Sequence, residues 1–166
     1  MEAQVVSEVD ASYVKKQHQG KYHANKKHTS KGAQYIECML ADKYDAKKHN
    51  KFPYISQPKL DGIRCIVKKD GMWSRNGKRI VSAPHIFYAM ESLFKDNPDL
   101  IFDGELYADK FANDFNAICS LVKKTKPTAE DLNASAKQIQ YHIYDLPSHP
   151  GTFVQRYESL VVTAKS

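Results

Sequence analysis

Long apolar runs are missing from this sequence. Nothing in its 166 residues approaches the ~20 consecutive apolar residues that a membrane-spanning helix needs, so no membrane partner is expected. Nothing at the start resembles a secretory leader either: the first residues, MEAQVVSEVDAS, are acidic and lack an apolar core. Cysteine is scarce. Cys38, Cys65 and Cys119 are odd in number and far apart, which excludes both a disulfide framework and a zinc site and points to a reducing intracellular compartment. Cys119 lies in an apolar stretch and reads as a small core residue. His18, His23 and His28 recur every five residues, a spacing that suits neither one helix face nor a metal pair. Internal repeats of the solenoid kind are absent.

Acidic residues are absent from Ala11 to Ile36, where six lysines (Lys15, Lys16, Lys21, Lys26, Lys27 and Lys31) stand among few apolar residues. Residues 1–34 therefore read as a basic flexible arm, either a solvated linker or a strip that lies along phosphates. Residues 35–166 read as one folded body, since hydrophobic residues make up 42% of the chain and charged residues 27%. The formal charge of +6 suits an anionic partner without demanding one.

Within the body the pattern predicts strands at Tyr54–Ser56 and Ile63–Val67. Turns at Lys69-Asp70-Gly71 and Asn76-Gly77 then lead into Met72–Ser74 and Arg79–Val81, an antiparallel meander. Ser82, followed by Pro84, opens a helix with Ile86, Phe87, Met90, Leu93 and Phe94 on one face, and Asn97-Pro98 ends it. A strand over 100–107 follows, then a helix over 111–124 carrying Phe115, Ile118, Leu121 and Val122. Thr128 caps a short helix, a strand is expected at 139–146, and Thr152-x-x-Gln155 opens a last helix with Phe153, Tyr157, Leu160 and Val161. The expected class is α+β, with antiparallel sheets flanked by helices.

One four-residue pattern occurs twice: Lys59-Leu60-Asp61-Gly62 and Lys68-Lys69-Asp70-Gly71. Asp-Gly between apolar runs is a hairpin signal, and a lysine beside it is ordinary surface. The second copy has no partner charge at the matching distance and reads as an exposed turn. Lys59 differs, because Arg64 lies five residues downstream. If Asp61-Gly62 reverses the chain, both cations face one pocket, which is unfavourable unless an anion lies between them. A neighbouring cation also favours the neutral amine that a nucleophile requires. The planar fork of Arg64 suits a phosphate or ribose. Asp103-Gly104-Glu105 adds a carboxylate for a metal or a sugar hydroxyl, and Tyr144-Asp145 adds an aromatic face for a base.

In that order and spacing these segments resemble a known family. Lys59-Leu60-Asp61-Gly62-Ile63-Arg64 resembles the K-x-D-G-x-R nucleophile motif of the ATP-dependent DNA ligases, within the covalent nucleotidyltransferases. Ser74-Arg75-Asn76-Gly77, Phe102–Leu106 and His142–Asp145 resemble the S-R-N-G, D-G-E and aromatic-Asp elements that follow it. The likeness runs from Met39 to Asp145, and the lead-in MLADKYDAKKHNKFPYISQPKLDGIRC is similar to the smaller ligases of phages and large DNA viruses. For a virus the compartment would be the host cytoplasm.

The resemblance implies that Lys59 attacks the α-phosphate of ATP and holds AMP. It implies that Arg64 contacts the ribose or the nick, that Arg75 contacts phosphate, and that Glu105 binds the ribose hydroxyl or Mg2+. Tyr144 would stack on adenine. Gln57 stands where many relatives have glutamate near the base. AMP would pass to the 5′-phosphate of nicked double-stranded DNA, and the 3′-hydroxyl would displace it.

Two later elements of the family, E-G and K-x-K, have no counterpart between Asp145 and Ser166, a span also too short for the oligonucleotide-binding barrel that the resemblance would lead one to expect. The expectation is a partial adenylation domain: a fragment, a truncated gene, or one part of a split enzyme whose complementary chain supplies the C-terminal half. RNA ligase or guanylyltransferase, which share the lysine motif, and a catalytically inactive nucleic-acid-binding module are the alternatives.

Overall fold

A computed structural model describes residues 38–40, 43–48 and 54–164. The expected arm and, within the lead-in, residues 41–42 and 49–53 lie outside the described residues. Five strands make one sheet in the order β3-β2-β1-β4-β5, with every neighbouring pair antiparallel. They are β1 (Ile63–Lys68), β2 (Gly71–Ser74), β3 (Arg79–Ile80), β4 (Ile101–Tyr107) and β5 (Gln140–Asp145). The helices are α1 (Pro84–Asp96), α2 (Phe115–Val122), α3 (Ala129–Gln138) and α4 (Phe153–Thr163). The α+β class with antiparallel strands is thus the observed one.

The period-two alternation of a strand sends neighbouring side chains to opposite faces. One face presents Cys65, Val67, Met72, Ile80, Phe102 and Leu106 to Ile86, Met90 and Phe94 of α1, Ile118 and Val122 of α2, and Leu160 of α4. This is the core. The other face carries Arg64, Asp103, Glu105 and His142, with Arg64 opposite Glu105 and Glu105 opposite His142 in the register.

Tyr141 laces three strands together on the core side. Its ring lies over Gly104 of β4, and its hydroxyl donates to the Cys65 carbonyl of β1 at 2.9 Å. A Cβ at Gly104 would sit 2.6 Å from that ring and 2.5 Å from the His142 carbonyl oxygen, so the space belongs to Tyr141.

The Lys69-Asp70 loop closes a hairpin in which Lys68 faces Gly71, as the second Asp-Gly predicts. Gly77, at φ 71°, closes the next turn, where the Lys78 N–H donates to Ser74 Oγ at 3.1 Å. Asp61-Gly62 does not reverse the chain into a hairpin: β1 pairs with β2 and β4, and Tyr54–Ser56 forms no strand. Nor is Gly62 at positive φ. A Cβ there would fall 2.3 Å from the Leu106 carbonyl oxygen, so this glycine permits close approach to β4 instead of a turn.

Other local expectations shift as well. Ser82 is not the cap of α1; it is buried, and its hydroxyl donates to the Val122 carbonyl at 2.5 Å, while Ala83 precedes Pro84 at the helix start. The helix expected over 111–124 is a 3-10 turn at Asp109–Phe111 and then α2, which Asp114 caps by accepting from the Ala117 N–H. Phe115 is exposed and Cys119 half-buried, so neither is core. On α4 only Leu160 is buried, and Tyr157 and Val161 face outward. Thr152 with Gln155 forms the expected capping box, and the expected cap Thr128 forms a second one with Asp131.

Gly104→Ala should lower stability by about 1–3 kcal/mol, as overpacking does. Thermal denaturation beside the unsubstituted chain measures it. An unchanged midpoint would show that Tyr141 has room to move.

Candidate active site

The outward face of β1, β4 and β5 gathers charged side chains round one carboxylate. Asp103 is 1% exposed, and a carboxylate so placed needs a charged partner. Arg64 supplies it from the neighbouring strand. Its Nε donates to Asp103 Oδ1 at 2.9 Å, and its Nη2 donates to Oδ2 in a tighter contact. The third arm, Nη1, donates to the Met39 carbonyl at 2.6 Å, tying the lead-in to the sheet. Hydrogen bonding with Asp103 raises the guanidinium pKa beyond its already high ordinary value. The fork that the sequence assigns to ribose or phosphate is therefore turned largely inward.

Tyr144, at the end of β5, packs its ring beside this pair, 5.6 Å from Arg64 Cζ. Burial, then the charge of Asp103, push its phenol pKa up, so it stays protonated near neutrality. Gln57 joins from the irregular segment before Lys59, its Nε2 donating to the Tyr144 carbonyl at 3.3 Å.

Glu105 is half-buried one step along β4, on the same face as Asp103. Burial chiefly, and then Asp103, raise its pKa to about 7 against the opposing pull of Arg64, Lys59 and the Gly62 N–H. Lys59 is exposed and lies within electrostatic reach of that carboxylate. Arg75, exposed in the Ser74–Gly77 turn, is felt electrostatically by the buried thiol of Cys38, as are Asp103 and Arg64. Burial raises that thiol, so Cys38 is packed beside the site as an inert group.

The structure thus brings Gln57, Arg64, Glu105 and Tyr144 together with Lys59 beside them, with Arg75 linked to this centre only by its electrostatic reach to Cys38. Sequence reasoning overlooked two participants. Asp103 was legible as the first residue of Asp-Gly-Glu, but its burial was not. Arg156 of α4 gave no signal: its Nε and Nη2 donate to the buried carboxylate of Asp145 at 2.7 and 3.1 Å, and its Nη1 to the Gly151 carbonyl at 3.1 Å. That pair fixes the backbone immediately after Tyr144.

Among the described residues no group of three or more His, Cys, Asp or Glu could hold a metal ion. Asp103 is committed to Arg64, which leaves Glu105 as the carboxylate available on this face. No helix among them is long and apolar enough to cross a membrane.

A five-stranded antiparallel sheet with a lysine-bearing approach to its charged face is the α+β arrangement of a ligase adenylation domain. The chain belongs to the ATP dependent DNA ligase domain family, whose model matches residues 38–159. No curated protein sequence matches it significantly. A solved structure from "DNA binding with a minimal scaffold: Structure-function analysis of Lig E DNA ligases" is 25% identical over 64% of this chain, with a TM-score of 0.46. Another, described as Pmar-Lig_PreS3, has the same identity, share of this chain and TM-score. The chain spans 37% and 26% of the lengths of those two proteins.

The raised Glu105 makes stability depend on pH. From its ordinary 4.5 up to about 7 the folded protein keeps a proton that the unfolded chain has released. This contribution is complete below about 4.5 and is lost as pH rises through about 7. Glu105→Gln should therefore flatten the fall of stability across that window, measured by denaturant unfolding at several pH values. Parallel pH profiles for the two proteins would mean that Glu105 titrates normally.

Proposed function

We propose that this chain is the front part of the catalytic domain of an ATP-dependent DNA ligase of the phage or large-DNA-virus type, with Lys59 as its nucleophile. The neutral Lys59 amine attacks the α-phosphorus of ATP. A P–N bond forms, the bond to the bridging oxygen breaks, pyrophosphate leaves, and the amine proton passes to solvent. AMP then moves to the 5′-phosphate of a DNA nick, and the 3′-hydroxyl displaces it. The observation that carries this reading is the convergence of Gln57, Arg64, Glu105 and Tyr144 on one sheet face next to Lys59, in a chain of this family.

Within this reading Tyr144 offers its ring to adenine, and Gln57, bonded to the Tyr144 carbonyl, stands beside the base. Arg64 shapes the floor through Asp103 and turns its remaining donors to ribose or the nick. Arg75 meets phosphate. Glu105 holds the ribose hydroxyl or Mg2+, a fit consistent with magnesium's habit of taking one or two carboxylates and completing its shell with water and substrate phosphates. Bound Mg2+ would neutralise charge developing on the phosphates. Residues 1–34 serve as a basic arm and 35–166 as the folded part. A complementary chain or continuation supplies the later motifs.

Guanylyl transfer and RNA joining use the same lysine motif and are tested by offering labelled ATP or GTP, and nicked DNA or RNA. An inactive binding module would retain nicked duplex without taking up label.

In protein completed by its C-terminal half, Lys59→Ala should abolish labelling by radioactive ATP, whereas Lys68→Ala should leave it nearly intact. Equal loss in both would defeat the choice of Lys59. Tyr144→Ala should weaken ATP binding while Tyr144→Phe is tolerated, because stacking uses the ring alone. Equal damage from Phe and Ala, read by ATP titration, would assign the role to the hydroxyl.

A further inference from the structure

The net positive charge of residues 37–166 comes from one segment. From Lys68 to Arg79, the β1–β2 loop through the start of β3, there are five basic residues and one acid, Asp70. The remainder of residues 37–166 holds fourteen basic residues and fifteen acids. The folded part would be near neutral without this hairpin.

Its cations are arranged around Trp73. Lys68 Nζ lies 5.2 Å, and Arg79 Cζ 5.8 Å, from the indole centroid. Asp70 is used internally: it bridges to Lys68 at 3.4 Å and accepts from the indole N–H at 3.4 Å, and its carbonyl accepts from Arg79 Nη2 at 3.2 Å. The single acid and Lys68 thus answer each other, and Lys69, Lys78 and Arg79 remain exposed on the rim.

Register places one residue of this rim, Arg79, relative to the candidate site. Ile66 faces Trp73 and Trp73 faces Arg79, so Arg79 stands two strands across from β1 on the face that carries Arg64, Asp103 and Glu105. At ~4.8 Å per strand that is about 10 Å. Phosphates advance by ~3.4 Å along the axis for each step of one DNA strand, so about three steps span the gap. The exposed charges of this hairpin are all positive; lysines at a sheet edge also protect it from aggregation, and the salt dependence of DNA binding separates the two roles.

We infer that the Lys69, Lys78 and Arg79 rim is a second duplex-DNA contact, gripping the phosphates of one strand about three base pairs from the nick without reading sequence. This rests on the reading of nicked DNA as partner, and it adds a surface beyond Lys59, Arg64 and Arg75.

The experiment titrates nicked duplex at several salt concentrations, without ATP, so that it stands apart from the chemistry of Lys59. Each phosphate contact contributes about −0.9 to the slope of log K against log salt. Lys69→Ala with Lys78→Ala, both exposed and unpacked, should flatten the slope by about 1.8 if each meets one phosphate. Adding Arg79→Gln should flatten it further, equally on unrelated sequences. Lys95→Ala with Lys137→Ala, on α1, which covers the opposite sheet face, and on α3, which packs against α1 and α2, should change nothing. An unchanged slope in the rim variants, an equal loss in the helix control, or no binding by the unsubstituted protein at low salt would each overturn the inference. AMP labelling of the unsubstituted protein, scored separately, tests Lys59. Failure of one reading is therefore distinguishable from failure of the other.

Discussion

The ion pair between Arg64 and Asp103 is the constraint around which the charged face is arranged. A carboxylate in the middle of β4, almost wholly out of water, carries a desolvation cost that only a well-aligned partner offsets. Arg64 meets it with two donors from the neighbouring strand and spends a third on the Met39 carbonyl. One side chain thus joins β1, β4 and the lead-in, and the Tyr144 ring packs beside it. Because Asp103 is consumed in this way, Glu105 is the carboxylate of that strand left within reach of Lys59.

Two glycines let the two motif segments interlock. Gly62 brings its backbone against β4 where no side chain fits, and its N–H reaches the Glu105 carboxylate. Gly104 clears the opposite side of β4 for Tyr141, which ties β5 back to Cys65. The spacing Lys-x-Asp-Gly and the triplet Asp-Gly-Glu are therefore parts of one packing arrangement. Lys59 is carried on the approach to a strand whose position the sheet already fixes.

Much of this was legible in the sequence, and what escaped has a physical pattern. Hydrophobic periodicity and capping chemistry are local, so α1, α3, the β1–β2–β3 meander and β5 could be read directly. Asp61-Gly62 misled, because a glycine needed for close approach looks the same as one needed for positive φ. Ser82 misled similarly: its hydroxyl serves the distant Val122 carbonyl instead of its own helix. The apolar residues of α4 predict a helix correctly, but not which of them meet the sheet. At the site, Lys59, Arg64, Glu105 and Tyr144 stood out by type and spacing. The inward turn of Arg64 and the clamp of Arg156 on Asp145 did not, since partners 39 and 11 residues apart leave no local mark.

The dependence of the face on the Arg64–Asp103 pair can be measured most directly by a double-mutant cycle on stability. Arg64→Met leaves a buried carboxylate unpaired, and Asp103→Leu strands a guanidinium. Each should cost about 3–5 kcal/mol in denaturant unfolding. The two together should cost distinctly less than the sum, because no orphaned charge remains. Strictly additive losses would contradict the account, showing that Arg64 and Asp103 act independently and that the charged face is held by something else.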